Sequence, residues 1–163
     1  MYTVGIITAS DKGSQGERED LSGTLIQKIM EEKGYSVKKY SMLPDEEEAL
    51  YDEMIYMAAE LKVNLILTTG GTGFSKRDVT PEATLRVIKR QAPGIAEAIR
   101  YNSLQITPKG MLSRGVSGIR DNTLIINLPG SPKAVRESLD YILEPLYHGI
   151  QILLGDTAEC GSK

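Results

Sequence analysis

Short apolar runs and amphipathic stretches alternate along the chain. The run from Val4 to Ala9 and the run from Val63 to Thr68 have the length of buried strands. Between such runs, apolar residues recur three and four positions apart, which is typical of helices with one buried face. The pattern predicts strands at 4–9, 35–42, 63–68, 116–119 and 123–127, helices at 22–33, 45–61, 80–90, 95–104 and from 132 onward, and a polar loop at 12–20.

Capping residues mark the expected helix starts. Asp45, with Glu48 three residues later, forms a capping-box pattern. Ser22 precedes the first amphipathic stretch, and Thr80 is followed by Pro81 at a first helical position, where proline is favoured. We therefore expect Ser22, Asp45 and Thr80 each to cap a helix.

The alternation of strands and helices predicts an α/β domain with a mostly parallel sheet covered on both faces. Right-handed crossovers bring the loops after parallel strands to one edge of the sheet, where ligands bind. Four such loops carry unusual polar, glycine or proline residues, and we expect them to meet in space: 10–11, 44–45, 69–78 and 129–133.

The loop after the third predicted strand has the most distinctive composition. It contains Gly70, Gly71, Thr72 and Gly73, and glycines allow backbone N–H groups to approach a phosphate closely. Its spacing matches neither the dinucleotide-binding fingerprint nor the P-loop. A tight turn without a ligand is the alternative, but the hydroxyls of Thr72 and Ser75 favour an anion site.

Two carboxylates belong to the loops of this edge. Asp45 and Asp78 would suit a Mg²⁺ ion that is held by one or two carboxylates together with substrate phosphates. For Asp45, helix capping is an equally physical explanation. For Asp78, the alternative is a surface charge run with Lys76 and Arg77.

The remaining candidates also have two interpretations each. Lys133, in the first turn of the last helix, opposes the helix dipole unless an anion binds there, but it can also be a solvated lysine. With Pro129, Gly130 and Ser131 it forms the last candidate phosphate-binding loop. Asp11 can bond its own loop or a ligand. Arg114 can bind a phosphate or pair with a carboxylate.

Composition narrows the function further. The 163 residues carry a net charge of −3, which argues against a general nucleic-acid binder. The chain contains no apolar run long enough to span a bilayer and no secretory signal, so a cytoplasmic protein without membrane or nucleic-acid partners is expected. We expect one domain over 1–163 with a flexible tail at 156–163. The tail's Cys160 and the single His148 are poor candidates for catalysis.

Taken together, these segments resemble the molybdopterin adenylyltransferase family, which includes MogA- and MoaB-type proteins and the G domain of gephyrin. The resemblance extends from Val4 to about Ile152, and Ser131 stands where some relatives carry asparagine. Its motifs occur in order and at similar spacing at 10–11, 20–23, 43–46, 69–73, 77–84, 111–114 and 124–130.

The resemblance implies a three-layer α/β/α sandwich and a homotrimer or hexamer. It implies Mg²⁺-dependent adenylylation of molybdopterin by ATP, with release of pyrophosphate and transfer of the product to a molybdate-insertion protein. Asp45 and Asp78 match aspartates needed for the reaction, and the serine matching Ser113 is associated with holding molybdopterin. Molybdopterin contacts are assigned to Ser10, Asp11, Ser113 and Arg114. A non-catalytic pterin-binding or scaffold protein and another nucleotide-phosphate enzyme, such as a hydrolase, are the alternatives.

Overall fold

The computed structural model describes residues 1–156; Cys160 and the rest of the predicted tail lie outside the described residues. The strands are β1 Thr3–Ala9, β2 Ser36–Leu43, β3 Leu65–Thr69, β4 Arg90–Gln91, β5 Ser117–Arg120 and β6 Thr123–Leu128. The α-helices are α1 Asp11–Ser14, α2 Leu21–Glu32, α3 Glu47–Ile55, α4 Thr80–Val87, α5 Pro93–Leu104 and α6 Pro132–Leu154. A π-helical turn, Tyr56–Glu60, extends α3, and a 3₁₀ turn, Pro108–Leu112, follows α5.

The strands form one six-stranded sheet in the order β2-β1-β3-β6-β5-β4. The four strands β2, β1, β3 and β6 are parallel, and β5 runs antiparallel to both β6 and β4. The predicted mostly parallel sheet is therefore confirmed. From β1 the chain builds outward to β2 on one side and to β3 on the other, so a topological switch point lies between β1 and β3. Ligands of open α/β sheets bind at such points.

Both faces of the sheet are buried, which explains the continuous apolar runs of the central strands. Successive side chains point to opposite faces: Ile6 packs into a cluster with α2 and α6, whereas Ile7 packs into a cluster with α3 and α4. Residues of β3 and β6 divide between the two clusters in the same way. The result is the three-layer α/β/α sandwich that the resemblance implied.

The sequence pattern failed where pairing across the fold decides the structure. The helix predicted to reach residue 90 ends at Val87, because the chain beyond it pairs with β5: the N–H of Lys89 donates to the carbonyl of Ile119 at 2.9 Å. The predicted polar loop at 12–20 begins instead with α1, whose start is capped by the Ser10 hydroxyl.

No helix within residues 1–156 is long and apolar enough to cross a membrane.

Candidate active site

A cleft of about 700 Å³ opens at the switch point, along the carboxyl ends of β1 and β3. Residues of all four expected loops border it, together with the segment before α2. The residues that line it include Thr8, Ser10, Asp20, Ser22, Asp45, Gly70, Gly71, Asp78, Gly130 and Ser131.

Asp45 does not cap α3, so that prediction was wrong. Glu46, one residue after Asp45, holds the N-cap position, and its side chain makes no capping hydrogen bond. The Asp45 carboxylate turns instead toward the loop after β1, where its Oδ2 accepts the N–H of Asp11 at 3.0 Å. Burial, followed by the charges of Asp11 and Asp78, raises the pKa of Asp45, while the hydrogen bond from Asp11 opposes this rise.

Asp78 closes a tight turn beside the cleft. Its Oδ2 accepts the N–H of Ser75 at 3.0 Å, and its own N–H donates to the Ser75 carbonyl at 3.0 Å. The expected Thr80 cap is also wrong, because Val79 holds the N-cap position and the Thr80 hydroxyl donates to the carbonyl of Gly70 at 3.0 Å. Thr80 thus ties the glycine turn to the start of α4.

The glycine turn has both conformational and steric reasons for its composition. Gly70 and Gly71 have φ of +88° and +70°, the left-handed region that glycine tolerates best. A Cβ at Gly70 would lie 2.4 Å from the carbonyl oxygen of Ala9. A Cβ at Gly71 would lie 3.3 Å from Asp45 Oδ1, and one at Gly73 would lie 2.9 Å from Asp78 Oδ2. Because residues 71 and 73 are glycines, no side chain of the turn crowds either carboxylate.

Asp45 and Asp78, which line the same cleft, fit a hard divalent cation that completes its shell with other oxygens. Within residues 1–156, no group of three or more His, Cys, Asp and Glu side chains could hold a metal ion. Mg²⁺ is commonly bound by one or two carboxylates plus substrate phosphates and waters. The space beside Asp45 and Asp78, and the raised pKa of Asp45, suit a cation that arrives with a phosphate substrate.

Of its two interpretations, Arg114 adopts the carboxylate pairing. Its Nη1 donates to both carboxylate oxygens of Glu82 at 2.9 Å, and these hydrogen bonds are the main cause of its raised pKa. Its Nε donates to the Gly73 carbonyl and its Nη2 to the Asp78 carbonyl, each at 2.8 Å. The backbone N–H of Arg114 also donates to the carbonyl of Thr72 at 2.8 Å, so Arg114 fastens the part of the loop that runs from Thr72 to Asp78.

Ser113 lies at a second, smaller cavity of about 200 Å³, which Arg100, Lys109 and Pro129 also line. Gly130 and Ser131, the next residues along the chain, line the larger cleft. The loop after β6 therefore separates two adjoining cavities.

The start of α6 carries its own cap. The Ser131 side chain accepts the N–H of Ala134 at 3.2 Å. Lys133 follows the solvated interpretation: its side chain is 82% exposed and pairs with Glu137 at 3.8 Å.

The sequence analysis included 20–23 among the motifs of the resemblance but gave Asp20 no role in the site. Asp20, not Ser22, caps α2, and its Oδ1 accepts the N–H of Gly23 at 2.9 Å. Asp20 Oδ2 accepts hydrogen bonds from the hydroxyls of Thr8 and Tyr40. Ser22 instead donates to the carbonyl of Gly130 at 2.6 Å and so binds the last loop to α2. An aspartate just before an amphipathic stretch was the available signal.

Comparison with known proteins shows what the whole chain is similar to. The family model described as a probable molybdopterin binding domain matches residues 5–148. The molybdopterin adenylyltransferase of Helicobacter pylori is 39% identical over 162 residues, covering 98% of this chain and 92% of its own length. Gephyrin of Dictyostelium discoideum is 46% identical over 162 residues, which are 22% of its length. The crystal structure of the molybdopterin biosynthesis enzyme MoaB of Thermus thermophilus superposes with a TM-score of 0.89 at 44% identity, covering 95% of this chain and 98% of that one.

Proposed function

This chain belongs to the molybdopterin-binding domain family of molybdenum cofactor biosynthesis, and we propose that it is a nucleotidyltransferase that adenylylates molybdopterin with ATP in a Mg²⁺-dependent reaction. The observation that carries the proposal is the meeting of Asp45, Asp78 and the glycine turn in one cleft at the switch point. Curated relatives that cover most of the chain carry the name of this activity.

The reaction joins two anions. A terminal phosphate oxygen of molybdopterin attacks the α-phosphorus of ATP, the bond to the β-phosphate oxygen breaks, and pyrophosphate leaves. Mg²⁺ held by Asp45 and Asp78 would supply charge neutralisation for the phosphates and the leaving group. No covalent protein nucleophile is needed, so positioning and electrostatics can supply the rate.

Backbone groups of the chain supply the rest of the phosphate site. Gly70, Gly71, Thr72 and Gly73 form a turn whose open backbone can receive phosphate oxygens. The N-terminus of α6 lies beside the cleft, where the positive end of the helix dipole favours an anion. In this proposal Gly130 and Ser131, which border the larger cleft, complete the nucleotide-binding side, whereas Pro129 lines the smaller cavity and Lys133 stays paired with Glu137.

Molybdopterin is assigned to the side of the last loop that Ser113 lines. The two adjoining cavities offer one place for each substrate, with the loop 129–131 between them. Ser10 borders the larger cleft and caps α1, which fits a contact near the reacting phosphates. A single domain over 1–163, a homotrimer or hexamer, a cytoplasmic location and delivery to a molybdate-insertion protein are parts of the same proposal.

The decisive experiment incubates the protein with ATP and Mg²⁺, with and without molybdopterin, and measures adenylylated product and pyrophosphate. We expect both products only when molybdopterin is present. Tight molybdopterin binding without product would favour the non-catalytic binding protein. ATP consumption without molybdopterin would favour a hydrolase.

Replacing either carboxylate tests the proposed Mg²⁺ site. Asp78→Asn keeps an oxygen that can accept the Ser75 N–H, so the thermal midpoint should stay near that of the wild type. Adenylyl transfer should fall at least about a hundredfold, because a charged group that stabilises the transition state is lost. Asp45→Asn should behave alike. Asp52→Asn, on the exposed side of α3, is the matched control and should keep full activity. Near-normal turnover of Asp78→Asn would refute its role.

A further inference from the structure

We propose that Asp11 and Arg77 form a brace that holds Asp45 in its working position, so that both are positioning residues rather than substrate contacts. The inference rests on the proposed function, because it concerns a carboxylate assigned to that reaction. It reassigns Asp11, which was expected at the molybdopterin site, and gives a role to Arg77, to which the sequence assigned none.

Two reciprocal hydrogen bonds join Asp11 to Asp45. The N–H of Asp11 donates to Asp45 Oδ2 at 3.0 Å, and the N–H of Asp45 donates to Asp11 Oδ1 at 2.9 Å. The ring continues the parallel pairing of β1 and β2 beyond their last paired residues, Ala9 and Leu43. The backbone and the carboxylate of Asp45 are therefore both fixed by one neighbour.

Arg77 fixes that neighbour in turn. Its Nε donates to Asp11 Oδ2 at 3.0 Å and its Nη2 to Asp11 Oδ1 at 2.8 Å. Arg77 belongs to the loop between β3 and α4, so the contact joins the loops after β1, β2 and β3. A bidentate pairing sets the plane of a carboxylate as well as its position.

Stability alone explains this ion pair poorly. The side chains of Arg77 and Asp11 are 57% and 35% exposed, and exposed ion pairs contribute little to the free energy of unfolding. Orientation is the larger effect, because Asp11 Oδ1 serves Arg77 and the N–H of Asp45 at the same time. Release of Arg77 would free the Asp11 side chain to rotate away from Asp45.

The brace also determines which oxygen of Asp45 faces the substrates. Its Oδ2 is taken by the N–H of Asp11, and its Oδ1 accepts no hydrogen bond from residues 1–156. That Oδ1 lies beside the glycine turn, since a Cβ on Gly71 would come within 3.3 Å of it. Asp45 is thus presented to the cleft through one oxygen in a fixed direction.

The test compares Arg77→Ala and Asp11→Ala with the control Lys76→Ala. Lys76 is a cation of the same loop as Arg77, but it makes no ion pair within residues 1–156. Hydrogen exchange of the Asp45 amide should become at least about tenfold faster in both brace variants and stay unchanged in Lys76→Ala. Since a misplaced catalytic group can cost about a hundredfold, kcat should fall about ten- to a hundredfold. The KM for ATP should stay within about threefold.

The double variant should be no slower than the worse single variant, because the two residues act as one unit. Unchanged exchange at Asp45 or unchanged kcat in Arg77→Ala would overturn the brace, even if the melting temperature falls. If the wild-type protein makes no adenylylated product, the proposed function fails. The exchange of the Asp45 amide then decides on the brace alone.

Discussion

Two aspartates of the cleft, Asp45 and Asp20, contact segments that are distant in the chain. Asp45 stands where a helix cap would be expected, yet its side chain serves the loop after β1. Asp20 does cap α2, but it also receives the hydroxyls of Thr8 and Tyr40 from two strands. Such contacts hold the segments around the cleft together, and the chemistry assigned to Asp45 depends on them.

Substitution of Gly70 tests whether the glycine turn must approach β1 closely. A Cβ at this position would meet both an unfavourable φ of +88° and the backbone carbonyl of Ala9 at 2.4 Å. Gly34 is the matched control, because its φ is +87° and nothing lies within 4 Å of an added Cβ. Gly34→Ala should cost about 1–2 kcal/mol of unfolding free energy from strain alone. Gly70→Ala should cost more than about 3 kcal/mol, since a clash with backbone is added.

Urea unfolding of the two variants measures the difference. Adenylyl transfer should survive in Gly34→Ala and be lost in Gly70→Ala. Equal stability losses would mean that the close approach of the glycine turn to β1 carries no energetic weight.

What sequence could predict for single residues follows from the range of each interaction. The glycines at 70, 71 and 73 were identifiable because turn geometry is local. Asp45 and Asp78 could be selected as candidates because they follow or flank strand ends. The contact of Arg77 with Asp11 spans 66 positions, and no local pattern encodes it. For the same reason, the sequence did not decide whether Arg114 binds a phosphate or pairs with a carboxylate.

At the element scale, hydrophobic periodicity predicted the central strands and the main helices well, because each buries a continuous or one-sided apolar surface. It failed for β4, whose two exposed residues are held only by pairing with β5. It also placed the end of α3 without its π-helical turn, Tyr56–Glu60. β4 was missed because it depends on its neighbour β5 and not on an apolar pattern of its own.

Thr69 holds the loop between β6 and α6 to the sheet. This contact can be tested against a control hydrogen bond that should contribute the same free energy of unfolding. The hydroxyl of Thr69 donates to the carbonyl of Pro129 at 2.6 Å, and that of Thr123 donates to the carbonyl of Val63 at the same distance. Both side chains are buried. Thr69→Val and Thr123→Val should each cost about 1 kcal/mol, the usual net value of such a bond.

Only Thr69→Val should slow adenylyl transfer, by about tenfold, because Thr69 lies at the carboxyl end of β3 beside the loop that separates the two cavities. Thr123 lies at the opposite edge of the sheet, at the start of β6. Thermal unfolding and steady-state rates on the same preparations give both quantities. Equal rate losses in the two variants would argue against a functional role for the position of this loop.

Across the whole molecule, the two edges of the sheet at which the parallel strands begin and end have different roles. The carboxyl edge holds the cleft and its charged groups, whereas the amino edge is closed by tyrosines. Tyr2 precedes β1 and Tyr35 precedes β2, with ring centroids 6.4 Å apart, and Tyr2 also packs against Tyr147 of α6. Stability at the amino edge should therefore be adjustable without an effect on the proposed reaction.

Tyr35 makes this separation measurable. Its hydroxyl is buried and finds no hydrogen-bond partner among residues 1–156, and burial raises the pKa of Tyr35 to about 12. An unfolded tyrosine titrates near about 10, so between these values the native state binds more protons than the unfolded state. The stability contributed by this difference is complete below about pH 10 and is lost as pH rises toward about 12.

Tyr35→Phe should remove both the unsatisfied hydroxyl and this titration. At pH 7 we expect the variant to be as stable as the wild type or more stable, by up to about 1–3 kcal/mol, because a desolvated polar group disappears. Its stability should also fall less steeply above pH 10. Tyr2→Phe is the contrasting variant, since it breaks the hydrogen bond of 2.8 Å to Asp156 and should not gain stability. Urea unfolding at pH 7 separates the two variants. Above pH 10 the stability of both should fall less steeply than that of the wild type, because desolvation and the hydrogen bond to Asp156 also raise the pKa of Tyr2 to about 12. A Tyr35→Phe variant that is less stable at pH 7, or that loses adenylyl transfer, would show that the tyrosine edge and the catalytic edge are coupled through the sheet.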